Sequence, residues 1–160
     1  MKRGTMHKNS SKTCKMLVAF ADINGFVKFC SRKNPSEIFK FLSEFYLHSG
    51  NVISKYQSGK IVKFMGDSML IVFDENFVKE GVDSLKELQS QIDKFLLNFG
   101  KDLTLSIKAN FGEVACGEIG TETDKRFDVF GNTVNKAALL TDGDFVLSED
   151  LKNFIKKGFV

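Results

Sequence analysis

The sequence predicts an α/β (α+β) domain, a ferredoxin-like βαββαβ sandwich with its helices on one face of the sheet. Three observations carry that reading. Short apolar runs alternate with two amphipathic helices in the order β-α-β-β-α-β, followed by a helix, a short strand and a last helix. A Gly-Asp dipeptide joins the two central runs as a tight hairpin. No internal repeat or linker divides the 160 residues, a length that makes one domain and buries roughly two thirds of the unfolded surface.

Each element has a local cause. MLVAFAD (16–22) is an apolar run ending at a carboxylate, as in a buried strand. The next helix takes Asn34 as N-cap and Pro35 as its first residue, with Ile38, Phe39, Leu42 and Phe45 at helical spacing as the core-facing stripe. KIVKFMGDSMLIVF (60–73) is two strands around Gly66-Asp67. Val78, Val82, Leu85, Leu88, Ile92, Phe95 and Leu96 mark the second helix, which Gly100 is placed to end. LTLSIKANFGEVACGEIG (103–120) alternates and is broken at Gly112, so it reads as another strand pair. DVFGNTVNKAALL (128–140) is a strand end, a glycine turn and a helix; DFVLS is a short strand, and the last helix starts at Ser148 or Glu149. The polar residues 1–15 are expected to be a flexible tail, with the domain itself spanning 16–160.

Composition narrows the chemistry. With 42% hydrophobic and 27% charged residues the balance is that of a soluble globular protein. A net charge of +3, with no basic run longer than a pair such as Lys156-Lys157, argues against a nucleic-acid partner. Cys14, Cys30 and Cys116 form no C-x-x-C pair and the only histidines are His7 and His48, so neither a disulfide framework nor a zinc site is expected. Any metal should be a hard cation on carboxylates. No apolar run approaches the ~18 residues of a membrane span, and the start has no apolar signal segment, so a reducing cytoplasm is the expected compartment.

Two carboxylates stand out by location: Asp22 at the end of a buried strand, in FADINGF, and Asp67 in the central hairpin turn, in KFMGDSM. A ferredoxin-like sheet can make that strand and that hairpin neighbours. Two hard anionic ligands plus a backbone carbonyl suit Mg²⁺ when substrate phosphates complete its octahedron. Taken singly, Gly-Asp is also ordinary turn chemistry, and Asp22 a loop cap.

FADINGF, KFMGDSMLIVF and FDVFGNTVNKA stand in the order and spacing of a class III nucleotidyl cyclase catalytic domain, and NFGEVACGEIG resembles that family's central hairpin. The resemblance covers about residues 16–150. It implies that Asp22, Asp67 and the Ile23 carbonyl hold two Mg²⁺ or Mn²⁺ ions per site. The implied reaction is attack of a ribose 3′-hydroxyl on the α-phosphorus of a nucleoside triphosphate, giving a 3′,5′-cyclic nucleotide and pyrophosphate. Lys63 and Asp128 match the family's base-reading pair, and Asn135 its ribose-orienting Asn. Because the family takes its metal ligands from one subunit and the other groups from its partner, the resemblance implies a homodimer with composite sites.

Elementary chemistry then ranks the substrates. Lysine only donates hydrogen bonds and ionised aspartate only accepts them. Adenine offers an acceptor at N1 and a donor at its 6-amino group, whereas guanine reverses both. The expected reaction is therefore adenylate cyclase chemistry, ATP to 3′,5′-cyclic AMP.

Two positions depart from the family pattern. Four residues beyond Asn135, where many members carry an Arg for the α-phosphate, stands Leu139, which suits a core or dimer-interface position; Lys136 lies about a hundred degrees round the helix. The chain also stops at KNFIKKGFV, short of the strand pair that usually carries a triphosphate-binding Lys. These departures sustain an alternative: a degenerate cyclase domain that binds nucleotide or a regulatory partner with little turnover.

Overall fold

The computed structural model describes residues 10–158. Along the chain run β1 (Lys12–Asn24), α1 (Phe26–Cys30), α2 (Pro35–Ile53), β2 (Lys60–Met65), β3 (Ser68–Asp74), α3 (Val78–Leu96), β4 (Thr104–Gly120), β5 (Lys125–Phe130), α4 (Asn132–Leu139), β6 (Phe145–Leu147) and α5 (Glu149–Lys156). The strands form one sheet in the order β2-β3-β1-β4-β5, every neighbour antiparallel, with β6 lying parallel to β4. The first four strands are the ferredoxin-like core that the element order implies.

Alternation along β1 divides the molecule into two apolar layers. Leu17, Ala19, Ala21 and Ile23 face a core closed by α2, α3 and α5. Met16 and Val18 face the other way, into a smaller core with Leu70, Val72, Val114, Val129 and Ala137. Ala137 belongs to α4, so helices cover both faces of the sheet, not one as expected. The cause lies in Gly112. A Cβ there would stand 2.7 Å from Thr133 Oγ1, so the missing side chain lets α4 settle against the second face. Gly112 therefore admits a helix instead of breaking a strand, and β4 runs unbroken for 17 residues.

Other expectations shift in detail. Residues 1–9 of the proposed tail lie outside the described residues, but the tail does not extend to residue 15. β1 begins at Lys12, because its ladder with β4 continues outward to the Lys12↔Cys116 pair. Helix α2 does start with Asn34, whose Oδ1 accepts from the Glu37 N–H at 2.9 Å while Glu37 Oε2 accepts from the Asn34 N–H at 2.9 Å, a reciprocal capping box. Its buried face is Phe41, Phe45, Ser49, Val52 and Ile53, while Phe39 is 77% exposed. Phe41 turns inward because α1, which is too short to show a sequence period, sets Phe29 against it at 4.7 Å. All seven stripe residues of α3 are buried; that helix ends at Leu96, ahead of Gly100, whose N–H still bonds the Leu96 carbonyl at 3.2 Å.

The sheet also curls. Its two ends, β2 and β5, come into contact, with Lys60 Nζ 3.8 Å from the centre of the Phe127 ring. Strand twist accumulated over the long β4 makes this approach possible.

Candidate active site

The β1–β3 ladder brings Asp22 opposite Ser68, directly beside Asp67 in the two-residue turn that separates β2 from β3. The turn is fixed from within and from outside. Gly66 takes φ +62°, a left-handed conformation natural to glycine. The Tyr46 hydroxyl on α2 donates to the Gly66 carbonyl at 2.6 Å, and its ring stacks on Phe64 at 3.8 Å.

Burial pushes the Asp67 carboxyl above the usual carboxylate range, and the charge of Asp22 adds to the rise. The backbone N–H groups of Asp67 and Ile23 oppose it by hydrogen bonding. In an antiparallel strand the N–H and C=O of one residue point to the same edge. The Ile23 carbonyl therefore faces the Asp67 turn, one residue past the last rung of the β3 ladder, Asp22↔Ser68.

Among the described residues no cluster of three or more His, Cys, Asp or Glu could hold a metal ion. The chain's own donors here are two carboxylates, one of them strained by the other's charge, and a backbone carbonyl. That set fits a hard divalent cation whose remaining ligands come from substrate or water. It does not fit a self-contained metal cage.

The second cluster sits where the sheet closes on itself. A bulge after Ile61 shifts the register so that Lys63 stands opposite Leu70. Lys63 Nζ then donates to Asp128 Oδ2 at 2.7 Å, and Asp128 Oδ1 accepts from the Val129 N–H at 2.8 Å. Lys63 is 41% exposed and Asp128 16%.

Asn135 joins neither cluster. It is exposed on α4, and Leu139 on the same face is 78% exposed, so the core reading of Leu139 is wrong. Helix α4 is tied to β4 by Thr133, whose hydroxyl donates to the Glu113 carbonyl at 2.7 Å. Asp22 pairs with Ser106 on that strand, which puts the α4 anchor roughly 23 Å away measured along β4. Lys136 Nζ lies 3.7 Å from Asp150, and Arg126 3.3 Å from Asp124, so both cations are already paired.

Sequence reasoning missed Tyr46 and Cys30. The charge of Asp67 reaches both and, after burial, helps to raise their pKa values. Tyr46 looked like one more aromatic residue on an amphipathic helix, and only the folded turn shows what its hydroxyl holds.

Comparison with known proteins agrees with this fold. The chain is 27% identical over 137 residues to an adenylate cyclase of Anabaena cylindrica, covering 81% of this chain and 27% of that protein. It is 31% identical over 129 residues to the receptor-type guanylate cyclase gcy-23 of Caenorhabditis elegans, covering 76% of this chain and 12% of that one. The chain thus spans about a quarter or less of these relatives' length. In fold it is similar to the adenylyl cyclase CyaB from P. aeruginosa, with a TM-score of 0.76 at 21% identity over 93% of this chain and 84% of that one. It is also similar to the dimeric guanylyl cyclase domain of the RhoGC fusion protein from Blastocladiella emersonii, with a TM-score of 0.77 at 21% identity over 93% and 88%. Among the described residues no helix is long and apolar enough to cross a membrane. Residues 8–143 match the adenylate and guanylate cyclase catalytic domain as a family, and the chain belongs to it.

Proposed function

We propose that the chain is an adenylate cyclase, converting ATP to 3′,5′-cyclic AMP and pyrophosphate in composite sites of a homodimer. The observation that carries the choice of base is the contact between Lys63 and Asp128, 65 residues apart in sequence and 2.7 Å apart in space. Adenine can replace that contact with two of its own, N1 accepting from Lys63 and the 6-amino group donating to Asp128. Guanine offers the wrong polarity at both positions, and a buried group left unpaired costs about 1–3 kcal/mol, a cost that falls mainly on Asp128, the less exposed of the two.

In this reading Asp22, Asp67 and the Ile23 carbonyl hold two Mg²⁺ or Mn²⁺ ions with the triphosphate oxygens. The chemistry divalent ions supply at such a site is acidification of the 3′-hydroxyl and neutralisation of charge on the leaving phosphates. The 3′-oxygen bonds to the α-phosphorus, the bond from that phosphorus to the β-bridging oxygen breaks, and the hydroxyl proton passes to solvent. Asn135 orients the ribose. The chain's work is mostly positioning and electrostatics.

A partner chain is needed because α4 stands apart from the carboxylates within one chain. Leu139 at the end of α4 is 78% exposed, and Phe130 at the end of β5 is 48% exposed. A two-fold dimer would cover this apolar surface and form two equivalent sites. The exposure of Leu139 where the family pattern has a cation also favours a second reading, a domain that binds nucleotide or a regulatory partner with little turnover. Incubating the purified chain with ATP or GTP and Mg²⁺ or Mn²⁺, then separating the cyclic products, decides between them. Cyclic AMP dependent on Asp22 supports the first reading, cyclic GTP-derived product alone refutes the base assignment, and nucleotide binding without product supports the second.

A further inference from the structure

We propose that Asn24 is a positioning residue for the cation site, acting through a hydrogen-bond bracket with Thr104 and Asp144. The inference rests on the reading of Asp22, Ile23 and Asp67 as cation ligands. Both protons of the Asn24 carboxamide are used: one is donated to Thr104 Oγ1 at 3.0 Å, the other to Asp144 Oδ1 at 3.1 Å. Asp144 is itself held firmly. Its carbonyl accepts from the Ile107 N–H at 2.8 Å and from the Gln89 carboxamide at 2.7 Å.

The frame extends into α3. Gln89 also donates to the Leu105 carbonyl at 2.9 Å, and Asp93, one turn further on, accepts from the Leu105 N–H at 2.7 Å. Helix α3, the start of β4 and the segment leading into β6 thus form one hydrogen-bonded unit. The Asn24 side chain fastens the end of β1 to it.

This fastening bears on the ligands through covalent geometry. The Ile23 carbonyl and the Asn24 N–H belong to one planar peptide unit, so any rotation of the Asn24 backbone swings that carbonyl. The β3 ladder ends at Asp22 and gives this unit no rung. On the far side Gly25 turns left-handed at φ +81°, where a Cβ would lie 2.9 Å from the Asp102 carbonyl. On the β4 side the unit lies in the last two rungs of the ladder, Ile23↔Leu105 and Asn24↔Thr104. The Asn24 bracket fastens that end of the strand, so that ladder and bracket together set the direction of the carbonyl. Groups that orient metal ligands in this way typically change metal affinity by roughly tenfold or more.

The test is Mn²⁺ binding to the full chain in the presence of 3′-deoxy-ATP, which lacks the reacting hydroxyl, read by electron paramagnetic resonance of free Mn²⁺ alongside thermal melting. Asn24→Ala should raise the Mn²⁺ dissociation constant by about tenfold. Thr104→Val removes one acceptor without changing shape or charge and should move it in the same direction, and it carries the test if Asn24→Ala does not fold. Asp144→Ala should match Asn24→Ala, and the double variant should be no worse than either single one, because all three break the same bracket. Variants that melt lower yet bind Mn²⁺ as the wild type does would make the bracket purely structural and overturn the proposal. Mn²⁺ binding by the wild type that Asp22→Ala leaves unchanged would instead overturn the ligand assignment beneath it.

Discussion

The two charged clusters of this domain are opposites. At the β1 end, Asp22 and Asp67 are like charges held side by side, and the carboxyl of Asp67 is pushed up by burial and by its neighbour. At the β2–β5 closure, Lys63 and Asp128 are unlike charges satisfied by each other at 2.7 Å. The first cluster sets like charges together, held by backbone N–H groups, and the second must part from a charged partner. Under the proposed function, affinity for a cation should therefore come from relief of repulsion, and base selection from exchanging one set of hydrogen bonds for another.

The largest effects should come from the repelling cluster. Asp22→Ala or Asp67→Ala should abolish metal-dependent cyclisation while the circular dichroism spectrum stays native, since neither side chain belongs to the apolar core. Turnover unchanged in either variant would end the two-ligand assignment. Next in size is Leu139→Arg. A cationic fork at that position would act on charge developing at the α-phosphate, a contribution of about 3 kcal/mol, or roughly a hundredfold in kcat, by analogy with one oxyanion donor. Because Leu139 is 78% exposed, the substitution needs no core rearrangement. A variant with unchanged kcat would show that the helix face does not meet the reacting phosphate, and fast wild-type turnover that another group supplies the charge.

A smaller effect tests whether the clusters of one chain serve different sites. Inactive Asp22→Ala and inactive Lys63→Ala chains, mixed and re-equilibrated, should recover roughly a quarter of wild-type activity, because half the dimers are mixed and each has one intact site. Silence from such a mixture, with both variants still dimeric, would mean that the clusters act within one chain.

These contrasts were only partly legible in the sequence. The long period of α3 and the Gly66-Asp67 hairpin were, because each is a local pattern repeated or punctuated within a few residues. The residue types at positions 22, 67, 63 and 128 were too, through the family motifs. What stayed hidden depends on the tertiary fold. Gly112 looked like a strand break, since glycine often marks one, but its role is set by Thr133, which approaches only after α4 crosses the sheet. α1 has five residues, too few to show a period. That Lys63 and Asp128 meet directly depends on the curl of the whole sheet, and the hydroxyl of Tyr46 and the carboxamide of Asn24 become informative only when their acceptors are in place.

The smallest expected effect is on stability, and its sign is the sharpest test of the contrast. A carboxyl whose pKa is raised by folding binds its proton more tightly in the native state than in the unfolded chain. Its ionisation therefore costs stability, and the loss grows as pH rises from the ordinary value of 3.8 through the raised native value. Asp67→Asn removes the ionisable group and should melt higher than wild type at neutral pH, with the advantage shrinking as pH falls toward 3.8. Mn²⁺ should reverse the order. By relieving the repulsion it should raise the melting temperature of the wild type and leave that of Asp67→Asn nearly unmoved. The same experiment on Asp128→Asn should give the opposite result, a lower melting temperature at neutral pH and a rise with Mn²⁺ like that of the wild type, because that substitution breaks an attractive pair and leaves both carboxylates in place. If both variants shift alike, the two clusters are not electrostatic opposites, and the division of labour between them fails.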